Sequence, residues 1–73
     1  MRLLGRKAIG TTHSGTDAYE TRGIITFYDP KTKKYYIEGN CFMNNSMIYG
    51  FGDWFYRHQI DLVVDIIEMK QVS

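Results

Sequence analysis

The sequence has little of what usually identifies an activity. Its 73 residues include one cysteine, Cys41, so no disulfide can form within the chain. Small secreted domains usually carry several disulfides, and we therefore expect a reducing, cytoplasmic setting. Residues 1–10 lack the apolar core of a signal peptide, and no apolar run approaches the roughly 20 residues that a membrane span needs. We expect no membrane association.

A strong excess of one charge is also absent. Nine basic residues stand against eight acidic ones, whereas a strongly basic nucleic-acid binder shows a clear excess of Lys and Arg. The glycines are scattered, so no phosphate-binding loop is present, and one Cys with two His cannot form a zinc-binding pattern. We expect no metal and no cofactor. A chain of this length forms a single domain, residues 1–73, with little core left over for a deep catalytic pocket.

The clearest pattern is in residues 22–38, RGIITFYDPKTKKYYIE. It predicts strands over 23–28 and 34–38, which are rich in β-branched and aromatic residues. Asp29 and Pro30 predict the turn, since the proline ring already holds the φ that a type I turn needs at its second position. Alternation predicts one face toward the core and one toward solvent. The inner set is Ile25, Phe27, Tyr35 and Ile37, and the outer set is Thr26, Tyr28, Lys34 and Tyr36.

The segments around this hairpin are less regular. The pattern predicts a first strand over residues 3–12 and a polar loop over 13–21. It also predicts that the return strand ends at Gly39 and Asn40. A loop over 40–46 and an extended segment over 47–51 should follow.

The C-terminal part allows two interpretations. As a helix over residues 54–70, its charged residues form one stripe and its aliphatic residues another, and Asp53 is a good N-cap. As strand, turn and strand, the turn falls at 57–59 and the second strand over 62–69. Val and Ile make up most of residues 60–67, which favours the strand interpretation.

The order of strands and turns over residues 22–64 follows a known pattern. A strand opens with RGII, and the DPKTK turn and the return strand YYIE come next; then follow the aromatic strand GDWFY, the polar turn RHQ and the closing strand IDLVV. This order resembles an SH3-like small β-barrel of the Tudor or KOW kind. The resemblance implies an all-β fold, a small SH3-like barrel of about five antiparallel strands. The alternative is an α+β fold, in which a four-stranded antiparallel sheet carries a helix over 54–70.

Three groups of side chains suggest catalysis or metal binding, and each has a simpler explanation. His13, Ser14 and Asp17 have the chemistry of a hydrolase triad but lie in a Gly-containing polar segment, whereas a triad needs a rigid frame. Cys41 has apolar neighbours, which indicates an inert thiol rather than a nucleophile served by His58. The remaining candidates, for a metal or acid–base cluster, are Asp53, His58, Asp61, Asp65 and Glu68. We interpret them as solvated charges and expect no enzyme.

The outer face of the hairpin is the best candidate site. Tyr rings interleaved with Lys can stack on bases or form the centre of a protein interface. The resemblance implies an aromatic cage for methylated Lys or Arg, which binds by cation–π attraction. The predicted binding residues are Tyr28, Lys33, Lys34, Tyr36, Trp54 and Tyr56.

We expect a non-enzymatic module that binds a protein partner, with a homodimer as one form in which it acts. Such a stand-alone chain is similar to small phage- or prophage-encoded proteins that bind a host factor. The alternative is nucleic-acid binding through the Lys and Tyr side chains of residues 31–36. A third hypothesis places a small-molecule or enzymatic site at an oligomer interface near Tyr49, Trp54 and His58.

Overall fold

A computed structural model describes residues 3–48 and 50–64. Over these residues the chain forms six β-strands and one short 3₁₀ helix. The strands are β1 (Lys7–Ser14), β2 (Asp17–Asp29), β3 (Lys34–Met43), β4 (Ser46–Ile48), β5 (Gly52–Tyr56) and β6 (Ile60–Leu62), and the 3₁₀ helix (Arg57–Gln59) joins β5 to β6. In this part of the chain, no helix has the length and apolarity that a membrane crossing requires.

All the strand pairs are antiparallel and belong to one sheet, in the order β4-β3-β2-β1-β6, with β5 also paired to β3. The all-β prediction is therefore confirmed. The α+β alternative is wrong for residues 54–64, because Trp54 pairs with β3 and Ile60 pairs with β1. The order of strand, turn and strand is confirmed there, but the second strand is β6 (Ile60–Leu62), earlier than the predicted 62–69, and residues 63–64 are not part of a strand. Residues 65–70 lie outside the described residues.

The first hairpin lies where the sequence predicted a loop over residues 13–21. β1 starts at Lys7, later than predicted, and pairs with β2 as far as Ser14 opposite Asp17. Gly15 is in the two-residue turn between them and has a φ of 64°, a value that glycine adopts without strain. The loop prediction was wrong because these strands are largely polar, and even the buried position in this part of β2 is a threonine, Thr21.

The predicted central hairpin is confirmed, and hydrogen bonds around one carboxylate hold its turn. The N–H of Lys33 donates to the carbonyl of Asp29 at 2.7 Å. The side chain of Asp29 accepts from the N–H of Lys31 at 2.9 Å and from the hydroxyl of Thr32 at 3.2 Å. Asp29 therefore organises the turn through its own side chain, a role that aspartate commonly has in turns.

β3 continues beyond the predicted end at Gly39 and Asn40. It runs to Met43, where Asn44 and Asn45 form a second turn with φ values of 51° and 70°. Asparagine tolerates this left-handed region, so β4 can fold back along β3 within two residues. The predicted loop over 40–46 is therefore wrong for most of its length, and residue 49 lies outside the described residues.

A β-bulge interrupts the ladder between β2 and β3. Ile25 pairs with Ile37, but the next pair along is Phe27 with Tyr36. Thr26 is the extra residue in β2, and its hydroxyl oxygen is buried without a hydrogen-bond partner among the described residues. Beyond such a bulge the alternation of side chains restarts one residue out of step.

The bulge reverses two of the predicted side-chain directions. Phe27 is 62% exposed and packs against Tyr36 on the outer face. Tyr28 instead lies opposite Tyr35, whose ring packs against the core, with the two centroids 4.6 Å apart. The prediction that Phe27 faces in and Tyr28 faces out is therefore wrong, and the physical reason is the extra residue at Thr26.

The core lies on the other face of this sheet. Ile25 and Ile37 are fully buried opposite each other. Phe55 of β5 packs so closely on Gly10 of β1 that a Cβ at Gly10 would overlap the phenyl ring. The buried apolar residues of the core cluster are Leu3, Ala8, Ile25, Ile37, Phe55 and Ile60.

Two neighbouring isoleucines provide a test of this burial. Ile25→Ala should lower the free energy of unfolding by about 2–5 kcal/mol, because it leaves a cavity at a fully buried site. Ile24→Ala is the matched control, since Ile24 is 36% exposed on the opposite face, and its cost should stay below about 1 kcal/mol. Urea denaturation followed by circular dichroism measures both values. Equal costs would contradict the assignment of faces.

Candidate binding surface

Four aromatic side chains share the outer face of β2, β3 and β5. They are Phe27, Tyr36, Trp54 and Tyr56, and we call them the outer aromatic surface. Tyr36 is opposite Phe27 on one side and Trp54 on the other, so these three rings form a row across three strands. Ring centroids lie 6.4 Å apart for Phe27 and Tyr36, and 5.1 Å apart for Tyr36 and Trp54. These are the distances of tilted and edge-on aromatic pairs.

The rings of this surface are unusually open to solvent. Phe27 is 62% exposed, Tyr56 is 42% exposed and Trp54 is 41% exposed. A single exposed apolar side chain is ordinary, whereas adjoining ones form an apolar patch, which is the type of surface that interaction sites often have.

A cation and a second ring complete one end of the surface. Lys34 lies opposite Tyr56 in the ladder, and its Nζ atom is 4.9 Å from the centre of the Tyr56 ring. The imidazole of His58 stacks on the same tyrosine at 5.7 Å, with the two planes 9° apart. The distance of Lys34 Nζ from the Tyr56 ring is within the range of cation–π attraction. The ammonium group of Lys34 therefore already lies over the Tyr56 ring at this end of the surface.

Glycine is required beside the row of rings. Gly52 at the start of β5 has a φ of 141°, which side chains rarely adopt. A Cβ at this position would lie 2.7 Å from the hydroxyl oxygen of Tyr36. The absence of a side chain at Gly52 therefore lets Tyr36 lie across β5 next to Trp54.

The structure brings four of the six predicted binding residues together: Lys34, Tyr36, Trp54 and Tyr56. Lys33 lies in the turn with a φ of 62°, at the border of the surface. Tyr28 lies on the other face, so it cannot contribute beside Tyr36. Sequence reasoning missed Phe27, and no local signal could have found it, because residues 24–28 read as an uninterrupted strand.

The candidate catalytic groups are not brought together. His13 pairs with Ala18 and therefore shares a face of the hairpin with it. Asp17 precedes Ala18 in β2, so it lies on the face opposite to His13. Cys41 is buried with its sulfur 3.3 Å from the hydroxyl of Thr21, whereas His58 is exposed and stacked on a tyrosine. Over residues 3–48 and 50–64, no three His, Cys, Asp or Glu side chains could hold a metal ion together. Tyr49, Asp65 and Glu68 lie outside the described residues.

One acidic candidate has a structural role instead. The Tyr19 hydroxyl donates to Oδ2 of Asp53 at 3.1 Å, and the N–H of Trp54 donates to Oδ1 of Asp53 at 2.7 Å. Burial, together with a hydrogen bond involving Cys41 and the nearby Asp53 carboxylate, raises the pKa of Tyr19 from 10.0 to about 12. Asp53 therefore connects β2 to the start of β5 and supports the backbone at Trp54.

The outer aromatic surface offers apolar contact, ring stacking and cation–π attraction. No protein-family model, curated protein or solved structure matches this chain.

The raised pKa of Tyr19 gives a testable pH dependence. The folded chain keeps the Tyr19 proton up to about pH 12, whereas the unfolded chain loses it near 10.0. The folded state therefore binds more protons in this window, and its stability should fall as the pH rises from about 10 to about 12. Absorbance at the tyrosinate band should show one late-titrating tyrosine that is missing in Tyr19→Phe. Identical titration curves for the two proteins would exclude this environment for Tyr19.

Proposed function

We propose that this chain is a non-enzymatic binding module that docks a protein partner on the outer aromatic surface. Trp, Tyr and Phe are enriched in protein interfaces, and Trp and Tyr are among the residues that most often dominate their energetics. They provide large apolar contact area with few rotatable bonds, so little conformational entropy is lost when a partner covers them. Nearly balanced charge also favours a protein partner over a polyanion.

The observation that carries the proposal is the exposure of Phe27. Its ring is 62% exposed although a row of neighbouring rings lies beside it. Full burial of a Phe side chain is worth about 1.5–3 kcal/mol, and a domain of this size has little stability to spare. A bulge that turns this ring outward is disadvantageous for folding alone, and a partner that covers the ring would regain the lost burial.

We infer further that the sheet closes as a small SH3-like barrel with these rings on its exterior. β5 pairs with β3 near one end of the strand order and β6 is at the other end, yet only the 3₁₀ helix (Arg57–Gln59) connects them. Phe55 on β5 also packs on Gly10 of β1. Both features support a sheet whose two ends approach each other.

A pair of ring deletions tests the proposed surface. Phe27→Ala with Trp54→Ala should weaken binding of the protein partner by at least about 30-fold, the effect of losing roughly 2 kcal/mol at an interface hot spot. The partner would be captured from the source cells, purified and titrated calorimetrically against each variant.

Tyr28→Ala is the matched control for these deletions. Tyr28 is 42% exposed and adjoins Phe27 in sequence, but it lies on the other face. We expect near-parental affinity for this variant. Undiminished binding by a folded Phe27→Ala/Trp54→Ala variant would remove the outer aromatic surface from consideration.

Single-stranded nucleic acid is the second candidate ligand, and the placement of Lys34 favours it. Its ammonium group lies over the Tyr56 ring, and Lys31 and Lys33 are exposed in the adjoining turn. Bases could stack on the rings while these three lysines contact phosphates. Asp29 is close to the same lysines, which reduces the local positive charge.

Salt dependence separates the two ligands. Three phosphate contacts on a single strand would give a slope of about −2 in a plot of log affinity against log salt. Lys31→Ala with Lys33→Ala would reduce this slope, and Lys7→Ala on β1 would leave it unchanged. If a protein is the ligand, adding the purified chain at low salt should not raise the fluorescence anisotropy of a labelled single-stranded oligonucleotide. Tight binding of the oligonucleotide that weakens as salt rises would instead favour nucleic acid.

A further inference from the structure

Over residues 3–48 and 50–64, β5 pairs with β3 alone, so its other edge, beside the outer aromatic surface, is unpaired within that part of the chain. On its inner side β5 follows β3, where the N–H of Gly39 donates to the carbonyl of Phe51 at 3.2 Å and the register continues to Tyr56. Backbone groups alternate in direction along an antiparallel strand. The N–H groups of Trp54 and Tyr56 therefore point away from β3. An exposed edge with such groups is a template for another strand.

Side chains of the same chain already use both of these N–H groups. The N–H of Trp54 donates to Oδ1 of Asp53 at 2.7 Å, and the N–H of Tyr56 donates to Oε1 of Gln59 at 2.9 Å. The second oxygen of Asp53 accepts from the Tyr19 hydroxyl at 3.1 Å, which keeps the carboxylate in place. Gln59 belongs to the 3₁₀ helix that directly follows β5.

The backbone groups of Ile60, the first residue of β6, are also hydrogen-bonded locally. The N–H of Ile60 bonds to the carbonyl of Arg57, and its own carbonyl accepts from Nη1 of Arg57 at 3.0 Å. Both the N–H and the carbonyl of Ile60 are therefore hydrogen-bonded to Arg57 of the 3₁₀ helix. Local side-chain bonds thus occur repeatedly at the junction of β5 and β6, where the sheet would otherwise offer donors.

We propose that Asp53 and Gln59 close the β5 edge against strand addition by a second copy of this chain. Two β5 edges are self-complementary across a twofold axis, as in other isologous interfaces. An added strand would have to displace two acceptors to reach the same donors, so it would gain few new hydrogen bonds. This inference stands apart from the proposed function, because it concerns the backbone edge and not the rings.

Amide hydrogen exchange at one residue tests the role of Gln59. Gln59→Ala leaves the Tyr19 to Asp53 bond intact and removes only the acceptor for the Tyr56 N–H. At a concentration where the parent is monomeric, exchange of the Tyr56 amide should accelerate about fivefold, the factor expected for one lost hydrogen bond. Gln59→Glu keeps an acceptor at the same position and should retain the parental rate.

Sedimentation velocity tests the consequence for self-association. Asp53→Ala with Gln59→Ala should form dimers at a concentration at least about tenfold lower than the parent, because two edge donors become available. The inference is overturned if the folded double variant sediments as the parent does at every concentration. It is equally overturned if Gln59→Ala exchanges its Tyr56 amide at the parental rate, a result that does not depend on the double variant folding.

Discussion

The register between β2 and β3 is the constraint on which the whole outer surface depends. Ile25 and Ile37 are buried opposite each other and fix that register, since a slip of either strand by one residue would move its isoleucine to the solvent face. The extra residue Thr26 then restarts the alternation. The same ladder therefore buries two isoleucines on one face and presents Phe27 and Tyr36 together on the other.

Elements distant in sequence complete that surface. β5 contributes Trp54 to the row of rings, and Gly52 leaves room for Tyr36 to lie across the strand. Lys34 adds a positive charge over Tyr56. At the neighbouring edge of β5, side chains of the same chain already accept hydrogen bonds from the backbone N–H groups. The proposed binding through side chains is consistent with this arrangement. The outer face thus presents exposed side chains, whereas the β5 edge presents backbone donors that are already hydrogen-bonded.

Much of the architecture could be predicted because its signals are local. Asp29 and Pro30 mark the central turn, and β-branched and aromatic residues mark the strands on either side. The first hairpin escaped prediction because its strands are largely polar, so their pairing with each other and with β3 and β6 specifies them rather than their own pattern. The continuation of β3 past Gly39 escaped prediction for the same reason, since this part of β3 is specified by pairing with β2 and β4.

The sequence by itself determined the all-β character, the central hairpin and three of the four rings of the outer aromatic surface, because strand propensity, two-residue alternation and turn chemistry act over a few neighbouring positions. Only the tertiary structure decided that Phe27 faces out and Tyr28 faces in. The physical reason is that a bulge is a property of two strands in register. Residues 24–28 carry no mark of it until Ile25 meets Ile37 in the core.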